Sequence, residues 1–243
     1  MTKYRLDLAY DGSGFRGYAK QLSLRTVQGE LEDALARLVG GELTTAVAGR
    51  TDAGVHARAQ VVSFETELEI EPERMIRSLN GLLGPEVSVT AVAEVDDGFH
   101  ARFSAKQRTY RYLMDPRPSR DPLLRHMVWH VGAGLDVEAM SLVAQAVVGE
   151  HDFGSFCRSM EGKSNVRHVD AATLEVSEGL LVFWIEANAF CHQMVRSIVG
   201  HMYDVGRGFA SGHDIDEVIA ARDRSTVATV APPHGLTLWK VTY

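Results

Sequence analysis

A chain of 243 residues with 45% hydrophobic and 23% charged content has the size and balance of a globular protein with one large core or two modest ones. No apolar run is long enough to span a bilayer, and the N-terminus runs straight into an alternating segment with no signal-peptide core, so a cytoplasmic protein without membrane contact is expected. The formal net charge of −7 disfavours a polyanionic partner unless basic residues are gathered in one place.

Residues 4–10 alternate apolar and polar and predict a half-buried strand, ended by Asp11-Gly12-Ser13-Gly14. A helix opens near Thr26, places Val27, Leu31, Ala34, Leu35 and Leu38 on one face, and stops at Gly40-Gly41. Two short strands, 44–48 and 60–64, flank a loop with glycines at 49 and 54. Pro72 introduces a second helix closed by Gly84-Pro85, and a strand follows from 87 to about 95. The order β-α-β-β-α-β is the split βαβ, or ferredoxin-like, unit. After it, 108–114 alternates as a strand, and a linker carries Pro116, Pro118 and Pro122. A helix over 136–148 precedes a hairpin, 166–176 and 180–189, turning at Glu178-Gly179. Helices over 193–203 and 214–222 and a strand over 236–242 close the chain.

The second half thus repeats the element order of the first without repeating its sequence. The expected class is α+β: two ferredoxin-like, RRM-like α/β units forming a mixed, mostly antiparallel sheet with a central active-site cleft. The expected division is 1–104, carrying the Asp52 loop, and 105–243.

That loop, Ala48 to Gln60, holds one carboxylate, Asp52, between Arg50 and Arg58. Asp in a turn often bonds its own backbone. A carboxylate kept ionised by arginines at a strand end can instead act as base or nucleophile. The ten histidines and two cysteines show no paired spacing of a metal site, so no metal is expected. Cys157 and Cys191 lack a protease signature and are expected as free thiols rather than as a disulfide framework. The Tyr10–Gly17 loop lacks Walker or Rossmann spacing, so no dinucleotide is expected. Tyr110 and Tyr112 share one strand face, opposite Thr109 and Arg111, and suit either an apolar core or a base-stacking surface. Arg196 lies one residue off the apolar side of its helix, and a half-buried guanidinium seeks a carboxylate. Between positions 100 and 125 stand seven basic residues, Arg102, Lys106, Arg108, Arg111, Arg117, Arg120 and Arg125, against Asp115 and Asp121. They predict a basic cleft on an otherwise acidic body, where binding of a polyanion weakens steeply with salt.

Tyr10-Asp11-Gly12-Ser13 with Phe15 and Gly17, the block Ala48–Ala57, the run Phe99–Ala105 with Arg108, Tyr110, Arg111 and Tyr112, His151-Asp152-Phe153 with Phe156, Met194-Val195-Arg196, and Gly235-Leu236 appear in one order along nearly the whole chain. Together they resemble the tRNA pseudouridine synthase A family. The resemblance implies an isomerase that turns uridine into pseudouridine at tRNA positions 38, 39 and 40 in the anticodon stem-loop. It implies Asp52 as the catalytic carboxylate, acting at uracil C6 or ribose C1′. It further implies Tyr110 stacking on the target base, Arg196 pairing with Asp52, and Arg50 helping to turn out the nucleotide. No cofactor is implied, and the partners are tRNA and a second copy of the chain in a homodimer. One departure stands out: Tyr18-Ala19-Lys20-Gln21 follows Gly17 where the family usually has a Trp-Gln pair. Two alternatives keep the same sheets: a non-catalytic RNA-binding protein indifferent to Asp52, and a pseudouridine synthase with other targets.

Overall fold

The computed structural model describes residues 1–158, 162 and 164–243. The chain forms two compact units, Met1–Arg108 with Thr237–Tyr243, and Thr109–Leu236.

The first unit contains β1 (Thr2–Tyr10), α1 (Val27–Val39), β2 (Ala46–Val47), β3 (His56–Thr66), α2 (Pro72–Leu82) and β4 (Val87–Glu94). The last strand of the chain, β10 (Leu236–Thr242), belongs to it from Thr237 onward. β1 lies between β4 and β3 and is antiparallel to both, with Leu6 opposite Val92 on one side and Val62 on the other. β2 pairs antiparallel with β3, at Ala46 and Ser63, and β10 pairs parallel with it, at Thr237 and His56. The order β4-β1-β3-β2 is that of a ferredoxin-like sheet.

Local chemistry explains these elements. In β1 the alternation buries Tyr4, Leu6, Leu8 and Tyr10. Thr26 caps α1, its Oγ1 accepting from the Gly29 N–H, and Gly40 ends it in the left-handed region at φ 79°. The helix buries Val27, Leu31, Ala34 and Leu35, each contributing about 1.5–3 kcal/mol if large and fully covered. It also buries Glu32. That carboxylate accepts from the Thr45 N–H and hydroxyl, the Gln28 amide and the Lys20 ammonium, so a chain of satisfied bonds ties α1 to the segment entering β2. Pro72 occupies the first turn of α2, and the Glu71 carboxylate accepts from the N–H groups of Glu73 and Arg74.

The second unit takes up β5 (Gln107–Asp115) from Thr109 and continues with β6 (Trp129–His130), α3 (Val137–Ala146), β7 (Gly149–Asp152), β8 (Val166–Ser177), β9 (Leu180–Ala187), α4 (Met194–Gly206) and α5 (Ile215–Ala221). Its strand order is β5-β9-β8-β7, with β8 antiparallel to both neighbours and β6 parallel to β5. The β8–β9 hairpin turns through Glu178 and Gly179, at φ 51° and 78°, the handedness that matches the twist of paired strands. The molecule is therefore α+β, with mixed and mostly antiparallel pairing. β6 and β7 have two and four residues, too few for a periodic signal.

The cysteines differ from expectation. Cys157 and Cys191 are joined as a disulfide, with Cα atoms 5.8 Å apart across 34 residues of sequence. The segments carrying them are held side by side by a hydrogen bond from the Arg158 N–H to the His192 carbonyl, a proximity that sequence spacing cannot reveal. No helix among the described residues is long and apolar enough to cross a membrane.

Candidate active site

Asp52 and Arg50 belong to the first unit, Tyr110 and Arg196 to the second. Asp52 stands half-buried in the turn between β2 and β3, its carbonyl accepting from the Val55 N–H, with Gly54 at φ 80° completing the turn. β3 begins at His56, four residues earlier than its apolar pattern suggests, because β1 and β10 both reach that end of it: Tyr10 pairs with Ala57, and Thr237 with His56. Asp52 therefore sits just ahead of a strand fixed on both edges.

The Tyr10–Tyr18 segment clamps this turn. The Tyr10 hydroxyl lies 2.8 Å from the Thr51 hydroxyl, the Tyr18 N–H donates to the Thr51 carbonyl, and the Gly12 N–H donates to His56 Nδ1. Gly12 packs so closely on Val55 that a Cβ there would overlap the Val55 carbonyl, and Gly17, at φ 96°, lies against Thr51, Asp52 and Ala53. In the sequence these glycines stand out as loop residues and as part of the family's motif; which backbone they would meet has no local signal. Burial pushes the Tyr10 hydroxyl pKa up to about 12, so it remains a neutral donor and acceptor beside Thr51. The departure after Gly17 is absorbed locally. Tyr18 is fully buried near the Tyr10 ring, the Lys20 N–H donates to the Gln28 side chain, and the Gln21 amide donates to the Arg16 carbonyl.

Arg50 is exposed. Arg58, also exposed, lies over the Trp239 ring with its guanidinium carbon 4.2 Å from the centroid. Arg108, expected on the basic surface, is instead buried and structural: it donates to the carbonyls of Ala48, Arg102 and Ala105. Arg117 is likewise engaged, bidentate to the buried Asp115 carboxylate, which it holds below the usual carboxylate range. The exposed side chains of that run are Arg102, Lys106, Arg117, Arg120 and Arg125, of which Arg117 is the one held by Asp115.

In the second unit the face of β5 predicted to carry both tyrosines does so. Tyr112 is core: its hydroxyl donates to the Pro232 carbonyl, burial raises its pKa, and Gly235 leaves room for its ring. Tyr110 stands on the same face, 8% exposed, edge-on to Phe190 at 5.0 Å. Arg196 is half-buried on α4, and its Nε donates to the Ala231 carbonyl, while the Ala231 N–H donates back to the Arg196 carbonyl. Gly200, one turn on, allows this: a side chain there would collide with the Thr229 carbonyl. Among the described residues no group of three or more His, Cys, Asp or Glu side chains is arranged to hold a metal ion.

The family model described as tRNA pseudouridine synthase matches residues 8–104 and 143–243, which include the clamped Asp52 turn and the Arg196 helix. The chain belongs to the tRNA pseudouridine synthase family. Among curated members of that family, tRNA pseudouridine synthase A of Listeria monocytogenes serovar 1/2a is 40% identical over the whole of both chains. The Streptomyces griseus protein of that name is 43% identical over all of this chain and 88% of its own, and that of Thermosipho africanus is 40% identical over the whole of both. A solved structure of a Cbf5-Nop10-Gar1 complex matches 82% of this chain and 44% of its own at 13% identity, with a TM-score of 0.39, too slight a likeness to bear on the fold.

Proposed function

We propose that this tRNA pseudouridine synthase isomerises uridine at tRNA positions 38, 39 and 40 in the anticodon stem-loop, with Asp52 as its nucleophile. The observation that carries the proposal is the full-length similarity to synthases together with a single carboxylate on a turn clamped by the segment that carries Tyr10, Gly12 and Gly17. The target base is stacked in the RNA and must be extruded before a protein carboxylate can reach it. Asp52 then adds to uracil C6 or attacks ribose C1′. The C1′–N1 bond breaks, the ring turns and a C1′–C5 bond forms, the bond to Asp52 is broken again, the hydrogen on C5 leaves as a proton, and N1 takes up a proton. Substrate and product are isomers, so the balance requires no oxidant, reductant or co-substrate. Tyr110 is proposed to stack on the extruded base, Arg50 to help turn it out, and Arg196 to bind the substrate and orient the carboxylate. A well-placed nucleophile gains most of its rate from such orientation. The acting form is proposed to be a cytoplasmic homodimer with one tRNA touching both subunits.

The test uses tRNA transcripts tritiated at uracil C5, because bond formation at C5 expels that label. Wild-type protein releases tritium. Asp52→Asn, similar in shape and without the charge, lowers release by at least about a thousandfold. Turnover retained in the Asn variant removes Asp52 from the role, and site mapping of the product tests the three positions.

A further inference from the structure

The turn from His100 to Ser104 presents a large aromatic ring to solvent from a tightly anchored backbone. Phe103 is 75% exposed, while Ala101, two residues before it, is completely buried. The Ala101 N–H donates to the Ser63 hydroxyl and its carbonyl accepts from the Tyr243 hydroxyl. His100 and Ser104 close the turn on each other through two hydrogen bonds, at 3.0 and 2.9 Å. His100 Nδ1 accepts from the N–H groups of Arg102 and Phe103, at 3.1 and 3.4 Å, which fixes its imidazole under the turn. Above this base the His100 ring lies 4.4 Å from the Phe103 ring, and the Arg102 guanidinium carbon lies 5.4 Å from it. Phe209 is equally exposed, but its neighbour Arg207 lies over Tyr203 instead, so no comparable cluster forms there.

An exposed phenyl ring with a guanidinium on it and a rigid backbone beneath is what a nucleobase and its phosphate require: a face to stack on and a cation for the backbone. We infer that the His100–Phe103 turn is a stacking platform for an unpaired nucleobase of the tRNA other than the uridine being isomerised. The inference rests on the tRNA reading. The platform is coupled to the chemistry within one unit, because the buried Arg108 guanidinium that holds the Arg102 and Ala105 carbonyls also holds the Ala48 carbonyl. Ala48 leads directly into Gly49-Arg50-Thr51-Asp52. A base docked on Phe103 therefore sets the RNA at a fixed distance from the Asp52 turn.

The experiment compares wild type, Phe103→Ala and Phe103→Trp in tritium release, and measures tRNA affinity by fluorescence anisotropy with the same substitutions in an Asp52→Asn background. Phe103→Ala is expected to raise KM and Kd about tenfold, the usual loss of one stacked base, with the loss falling on KM rather than kcat. Phe103→Trp restores both. Unchanged KM and Kd in Phe103→Ala overturn the platform. A change in sedimentation coefficient in Phe103→Ala without RNA also overturns it, by showing that the ring is covered by a second copy of the chain. Wild type that binds tRNA but releases no tritium defeats the synthase reading instead, and the anisotropy comparison still decides the platform.

Discussion

A methyl group at position 12 has no space to occupy, because the backbone there rests directly on the Val55 carbonyl, three residues past Asp52. The added Cβ would meet backbone rather than a side chain, so no rotamer change relieves the clash. Gly12→Ala should cost about 1–3 kcal/mol of stability and displace the turn that aims the carboxylate. Chemical denaturation reads the first effect; tritium release reads the second, as a fall in kcat of at least about tenfold for a misplacement approaching 1 Å. Wild-type kcat in a folded Gly12→Ala protein would show that the clamp does not aim Asp52. The Tyr110 face was legible from local pattern, a strict alternation, whereas the loop around Asp52 marked a lone carboxylate among arginines without deciding its role. The roles of Gly12 and Arg108 were not legible. Each depends on a contact made across 43 or 60 positions of sequence, Gly12 with Val55 and Arg108 with Ala48.

Elements with strong local signals formed where their residues said they would. α1 runs between its Thr26 cap and Gly40, and the Glu178-Gly179 hairpin turns as its residues require. β3 did not, because its first turn of pairing is donated by β1 and β10 rather than by its own apolar residues. α4 shows a further effect with no signature in periodicity. It buries His201, whose Nε2 has no hydrogen-bond partner among the described residues and whose ring packs near Phe156. Burial lowers its pKa below 6.5, with Asp204 opposing the shift in part. The native state therefore refuses a proton that the unfolded chain accepts, so stability is full above about pH 6.5 and falls as pH drops below it, by at most about 1.4 kcal/mol per pH unit. Melting curves from pH 7.5 to 5 should show a steeper acid-side decline for wild type than for His201→Phe. Parallel curves would mean that the imidazole is not kept neutral by the fold.

At the scale of the molecule, a net charge of −7 has to coexist with a polyanionic substrate. Two of the seven basic residues between 100 and 125 turn inward or pair with an acid, Arg108 and Arg117. The exposed ones left in that run, together with Arg50 and Arg58, are the side chains from which contact with phosphate is expected. A few phosphate contacts give a salt slope of a few units in log Kd against log salt, and each arginine removed should flatten it by about one. Titration of tRNA binding from 50 to 300 mM KCl for wild type and Arg102→Ala checks this; a flat wild-type response would mean that phosphate contacts contribute little.

The placement of β10 in the first unit also has a consequence during synthesis. All of Thr109–Leu236 is translated before Thr237, so the first unit's sheet emerges from the ribosome one strand short. Meanwhile the His56–Ala57 edge of β3 has no parallel neighbour, Arg58 has no indole to lie on, and the Ala48–Val61–Ala101 cluster lacks the covering Val241 and Tyr243 side chains. An open edge of that kind invites wrong pairing. The unit begun first is completed last, and the turn bearing Asp52 gains its second support only as the final strand docks.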